Sequence, residues 1–256
     1  MPGTMARPRA IVPHAGAALG GGASQIVNNG GPVLSAVEVV PIYWGAAWSS
    51  ASNTQIAAQL DGFFDFIVTS SLIDLLAEYG TPAAPIGHGR RIGSVRMAAS
   101  EPGAGGQVTD PEIQQALQAW IAAGSVPAVT ANTLYFLFLP PGIVSVEPGG
   151  AASCATSCGH HGSAGNIYYA VIPYIDCAAC LLPGASFFDT LTVIASHELC
   201  ESITDPALTA WYDPVSGNEI GDVCNRQGVQ LGGYLVQMEW SSSQGACVFG
   251  PPAVGT

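Results

Sequence analysis

His197, Glu198 and Glu201 sit in the stretch from Leu191 to Pro206. His197 and Glu201 are four residues apart, so on a helix they stand one above the other on a single face. This is the HExxH zinc-peptidase pattern with its second histidine replaced by glutamate. Zinc accepts imidazole nitrogen or carboxylate oxygen at similar distances, so the pattern still describes two ligands on one helix turn. Glu198, between them, is placed to act as general base on a metal-bound water. A third ligand is needed. Two carboxylates three apart, Glu219 and Asp222, follow in a turn-rich segment. One of them is expected as the ligand and the other as support for His197 through its second ring nitrogen. Asp205, just past the helix end, competes for the role. The same acids, with Asp213, are hard oxygen donors, so calcium at the acidic loop is the alternative to zinc.

His160 and His161 lie in a cysteine-flanked loop upstream. Either fits as an extra ligand or as a donor to a developing oxyanion; Tyr212 and Tyr234 are weaker candidates for the latter. Seven cysteines are present. Cys154, Cys158, Cys177, Cys180, Cys224 and Cys247 form an even set that reads as three disulfides, with Cys224–Cys247 tying the acidic loop to the last strand region. The other four allow three pairings. Their spacing, C-x3-C then C-x2-C, also matches a structural zinc ribbon. Cys200, inside the metal helix, reads as a small buried hydrophobe.

The elements that must hold these groups are legible in part. Val33–Trp44 reads as a buried strand. A long helical pattern follows Asn53, with a break near Ser70-Ser71. Ile86–Ala98 reads as a second strand. Thr109-Asp110-Pro111-Glu112 opens a helix that ends at Gly124. Leu134–Leu139 and Ile167–Ile175 are short apolar strands, and Tyr234–Trp240 is a later one. The metal helix is expected over 190–205, capped by Thr190 or Asp189 and stopped by Pro206. The order predicts an α/β (α+β) single domain: a twisted mixed β-sheet with flanking helices, zincin-like, with the metal helix along a cleft. Ile167–Pro173, directly before that helix, is the expected edge strand, where a substrate chain could add by main-chain hydrogen bonds. The expected boundaries are a flexible Gly/Ala/Pro-rich segment over 1–32, one domain over 33–250 and a tail over 251–256.

Ser196-His197-Glu198-Leu199, Thr204-Asp205-Pro206, Ala210-Trp211-Tyr212 and Glu219-Ile220-Gly221-Asp222-Val223-Cys224 resemble the EXORDIUM / phosphate-induced protein family. So do Val40-Pro41-Ile42-Tyr43-Trp44-Gly45, Leu134-Tyr135-Phe136, Cys158-Gly159-His160-His161 and Gln237-Met238-Glu239-Trp240. The resemblance implies an extracellular, wall-associated or secreted protein. The compact size is similar to a microbial member, so a plant growth role is not carried over.

Composition narrows the partners. The 256 residues are 48% hydrophobic and 9% charged, with net charge −12 and no lysine. With no basic patch, nucleic acid and anionic membrane surfaces are excluded as partners. No segment reaches the 18 or more apolar residues of a membrane span. The expectation is a secreted, monomeric zinc-dependent hydrolase, a metallo-endopeptidase acting on peptide or protein. Its rival is a non-catalytic extracellular or wall-associated binding protein with a structural metal. Zinc content separates the two.

Overall fold

The computed structural model describes residues 25–103 and 105–251. Six strands share one sheet: β1 Glu38–Trp44, β2 Arg90–Arg91, β3 Val95–Met97, β4 Thr133–Phe138, β5 His160–Ala164 and β6 Ile167–Ile172. β1 pairs in parallel with β2, β3 and β4; β4 pairs in parallel with β6; β5 closes the far edge antiparallel to β6. The fold is α+β around this mixed sheet, as expected.

Both faces of the sheet are covered, which is why its strands read as continuous apolar runs rather than alternations. On one face, Val39, Tyr43, Leu134, Phe136, Phe138 and Ile172 pack against helices α1 Ala51–Ile67, α2 Ser71–Leu76 and α4 Phe187–Thr204. On the other, Val40, Ile42, Trp44, Tyr135, Leu137 and Val171 pack against α3 Asp110–Ala122 through Ile113, Leu117 and Trp120. Pro41 lies inside β1, where a proline ordinarily breaks the ladder. The Val39 carbonyl accepts from Ile92, so residue 41 faces the same side. There it meets the gap between β2 and β3, and its missing N–H removes no bond.

Two expectations are corrected at the sheet edge. Ile167–Ile172 is an interior strand, flanked by β4 and β5, and the edge is β5. The sequence His160-His161-Gly162-Ser163-Ala164 carries little strand propensity; β5 forms because the turn at Gly165 folds it back onto β6. The expected strand over Ile86–Ala98 is two short pieces, β2 and β3.

Helix boundaries shift by a few residues. α1 is capped by Ser50, whose hydroxyl accepts from the Asn53 N–H, rather than by Asn53. The break before Ser71 is where it was expected. α4 begins at Phe187, three residues earlier than predicted: Ser186 and Asp189 form the capping box, so Asp189 is its third helical residue and not the cap. Tyr234–Trp240 divides into Tyr234–Gln237, hairpinned to Gly228–Leu231, and Glu239–Ser241, hairpinned to Ala246–Val248.

Of the 1–32 segment, residues 1–24 lie outside the described residues. Residues 25–32 belong to the domain: Val27–Asn28 pairs with Trp211–Tyr212, and the Gly31 N–H donates to the Thr209 carbonyl. The domain therefore starts at or before residue 25, not at 33. The tail beyond residue 251 also lies outside the description.

The six cysteines pair as Cys154–Cys177, Cys158–Cys180 and Cys224–Cys247. Their sulfurs are used up, so the ribbon-like zinc reading is set aside. Cys200 is a buried thiol, which burial pushes well above its usual range. Among the described residues no helix is long and apolar enough to cross a membrane.

Candidate metal centre

α4 is enclosed on every side. It packs on β5 and β6, on the strand Tyr234–Gln237, and on α5 Ile220–Val223. Residues Thr190 through Thr204 are all buried, so the glutamates do not form the solvated face that a surface helix would give them. His197, Glu198 and Glu201 are 0%, 0% and 2% exposed. A carboxylate removed from water needs a cation, a proton or strong donors. The chain has no lysine. Among the described residues no arginine is ion-paired with Glu198, Glu201 or Asp222.

What meets these carboxylates is imidazole. His197 Nε2 is 3.2 Å from Glu201 Oε2. His161, on edge strand β5, reaches Glu198 Oε2 at 3.4 Å and Glu201 Oε2 at 3.7 Å through Nδ1. Its Nε2 is 3.5 Å from Glu219 Oε1. Yet His197 Nε2, His161 Nδ1 and both Glu198 oxygens make no hydrogen bond among the described residues. Two donors that share one ion at zinc distances stand about 3.4 Å apart in a tetrahedron. The spacing is compatible with shared coordination and, at its short end, with a direct hydrogen bond.

Two overlapping triplets have ligand atoms within 4.8 Å of one another: His197–Glu201–Asp222 and His161–Glu201–Glu219. Glu201 belongs to both. Glu219 and Asp222 therefore both reach the cluster, each in a different triplet. Asp205 belongs to neither triplet; its Oδ1 accepts from the backbone N–H groups of Thr209 and Ala210. The two histidines of the loop pair are separated by strand alternation. His161 joins the cluster, whereas His160 faces Asp110 and Ser145. Tyr234 packs on Phe63 and Phe66, and Tyr212 pairs with Val27.

Glu201 is aimed by its surroundings. The Asp222 N–H donates to its Oε1 at 3.1 Å, leaving Oε2 for the histidines. Burial pushes the Glu201 carboxyl up, but His197 and His161 outweigh it and hold it below its usual range. Burial, followed by the Glu201 charge, pushes Asp222 well up. Glu198 is raised mainly by burial. For His161, burial pulls down, and the Glu219, Glu198 and Glu201 carboxylates more than reverse it, so its imidazolium is favoured.

Three residues at the site were not singled out from the sequence. Gln237 lies against His197: its Nε2 donates to Nδ1 at 2.7 Å and to the Gly221 carbonyl at 2.9 Å, while its Oε1 accepts from the Arg226 N–H. This orientation leaves the imidazole hydrogen on Nε2, facing Glu201. Ligation through Nε2 requires the hydrogen on Nδ1 and an acceptor facing it; turning the Gln237 amide to supply one would set its NH2 against the Arg226 N–H and its oxygen against the Gly221 carbonyl, so both of those bonds would have to be given up. Glu239 is fully buried, and burial pushes its carboxyl well up. Gly221 packs on the imidazole: a Cβ there would lie 2.6 Å from His197 Nδ1 and 2.9 Å from Glu201 Oε1. Gln237 and Glu239 stand in the sequence only within the Gln237-Met238-Glu239-Trp240 motif and at period-2 spacing in a strand-like segment, neither of which marks a site role.

Comparison with protein-family models, with curated proteins and with solved structures finds no match.

Proposed function

We propose that the protein is an exported, monomeric zinc-dependent hydrolase acting on peptide bonds. The observation that supports it is the buried set of unbonded imidazole and carboxylate atoms, at ligand-sharing distances, around Glu201. The His197–Glu201–Asp222 triplet combines both ligands of the helical motif with a downstream acid, and these three would hold the ion. Zinc would supply Lewis acidity and a water acidified toward neutrality.

The protein's own groups divide the rest of the work. Glu198 takes the proton of the attacking water and passes it to the leaving amine. His161, kept charged by Glu219 and Glu198, donates to the oxygen of the tetrahedral intermediate. Edge strand β5 has no second strand partner among the described residues, so a substrate backbone can pair along it. Two carboxylate ligands leave the ion less positive than a two-histidine site, so turnover is modest. Three disulfides suit an oxidising compartment. The EXORDIUM-like motifs belong to the same proposal.

Cleavage of casein and of a peptide library, measured beside zinc content, tests it. Wild-type protein should cleave with bound zinc, and Glu198→Gln should keep the zinc and lose cleavage. Cleavage that persists in that variant removes the mechanism. The burial of every triplet member except the half-buried Asp222 favours a second reading, a structural ion in a non-catalytic protein. Stoichiometric calcium, or tightly held zinc with no cleavage of any library member, would select it.

A further inference from the structure

A cavity of about 140 Å³ opens beside edge strand β5, lined in part by Asp110, Glu147, Pro148, His160 and Tyr169. It adjoins the Glu201 cluster: His161 lines it, and the Glu198 charge is felt at Glu147. A cavity of this size admits a group as large as benzene, so it takes a side chain rather than a water alone. Asp110 and Glu147 are 4% and 7% exposed. Every hydrogen-bond donor to them is neutral: the Tyr169 hydroxyl and the Gln114 amide on Asp110, and the Ser157 hydroxyl on Glu147. Among the described residues neither is paired with an arginine.

A third group points to an occupant. His160 is 2% exposed, and its Nε2 has no hydrogen-bond partner among the described residues while facing Asp110 Oδ1 at 3.9 Å. Burial, with the neighbouring His161, pushes its imidazole down to about 3, so it is neutral and supplies no counter-charge. A metal ion does not suit the place. Asp110, Glu147 and His160 do not bring three ligand atoms within 4.8 Å of one another, unlike the triplets around Glu201. Burial raises both carboxyls, Glu147 to about 7; a guanidinium or ammonium beside them would favour their charged forms, and Pro148 and Tyr169 line the pocket where its methylene stem would lie.

We infer that this pocket binds the cationic side chain of an arginine or lysine in a peptide laid along β5. Side chains of an added strand alternate between the two faces of the sheet. A peptide whose backbone reaches the Glu201 cluster on the α4 side therefore directs a neighbouring side chain toward Asp110 and Glu147 on the α3 side. The inference rests on the hydrolase proposal for the pocket's purpose, but not for binding itself.

The test is calorimetric binding of three blocked pentapeptides to wild-type protein, Ala-Ala-X-Ala-Ala with arginine, citrulline or norleucine at X. The arginine peptide should bind about tenfold or more tighter than the other two, and Glu147→Gln should remove about that factor. Equal binding of the three peptides to wild type overturns the inference, and this comparison needs no variant. An unchanged preference in folded Glu147→Gln also overturns it. Arginine-selective binding without any cleavage keeps the pocket and discards the hydrolase. Cleavage without preference for basic residues does the reverse.

Discussion

Replacing Gly221 by alanine adds one methyl group, and the structure says where it goes. The new Cβ would lie 2.6 Å from His197 Nδ1, 2.8 Å from its Cε1 and 2.9 Å from Glu201 Oε1, where ordinary contact begins at 3.4 Å. The imidazole must therefore retreat by about 0.8 Å or α5 must lift by the same amount, and both are buried. The backbone at Gly221 is helical, so alanine is itself favoured there by about 0.5–1 kcal/mol, which offsets part of an overpacking cost of about 1–3 kcal/mol. Global stability should thus fall by about 2 kcal/mol or less. The metal centre should suffer more, because a ligand displaced by most of an ångström no longer shares an ion with Glu201. Displacements and lost support of this size cost about 10–100-fold in affinity. Competition against a chromogenic chelator measures the zinc affinity, and urea unfolding measures the stability. A folded Gly221→Ala protein that binds zinc as tightly as wild type would refute the placement of His197 as a ligand.

Other perturbations separate the roles. On the hydrolase proposal His161→Gln should lower kcat by about 10²-fold while changing zinc affinity little, because there its charge would act on the oxyanion rather than on the ion; single-turnover kinetics with parallel metal analysis read both. Glu147 is pushed up to about 7 from 4.5, by burial first and then by Glu198 and Asp110, against the Ser157 hydroxyl and His161. The folded state holds its proton more tightly than the unfolded chain, so that contribution is intact below pH 4.5 and is lost as pH rises through 7. Urea unfolding of wild type across pH 4.5–8 should therefore show a decline that Glu147→Gln reduces by about 3 kcal/mol. Removing the Cys224–Cys247 bridge with two serines should cost about 3 kcal/mol from its 23-residue separation. Because that bridge follows α5 directly, zinc affinity should fall with it.

The motif helix was readable because a four-residue spacing fixes a face wherever the helix lies. Its burial was not readable. The sequence of α4 is as compatible with one wet face as with enclosure, and only the Tyr234–Gln237 strand and α5 packing over it decide the matter. The acidic pair was legible as chemistry, but Glu219 and Asp222 divide between two triplets through the short helix Ile220–Val223, whose turn no periodicity signals. Strand β5 was missed because His160-His161-Gly162-Ser163 has neither apolar alternation nor β-branched residues; long-range pairing with β6 makes it a strand. That one omission misplaced the sheet edge and left His160 and His161 indistinguishable, though adjacent strand residues face opposite ways. Gln237 carries no charge, and the motif it opens says nothing of its place; its role arises from the fold that brings it to His197.

The proposed chemistry requires His197 and Glu201 to grip one zinc ion. Anomalous diffraction collected on both sides of the zinc absorption edge, from crystals of protein purified without added metal, tests it most directly. One strong peak is expected within about 2.2 Å of His197 Nε2 and Glu201 Oε2, with Asp222 as the third protein donor. A peak bound instead by His161 and Glu219, or ordered side chains with no zinc signal between His197 and Glu201, would contradict it.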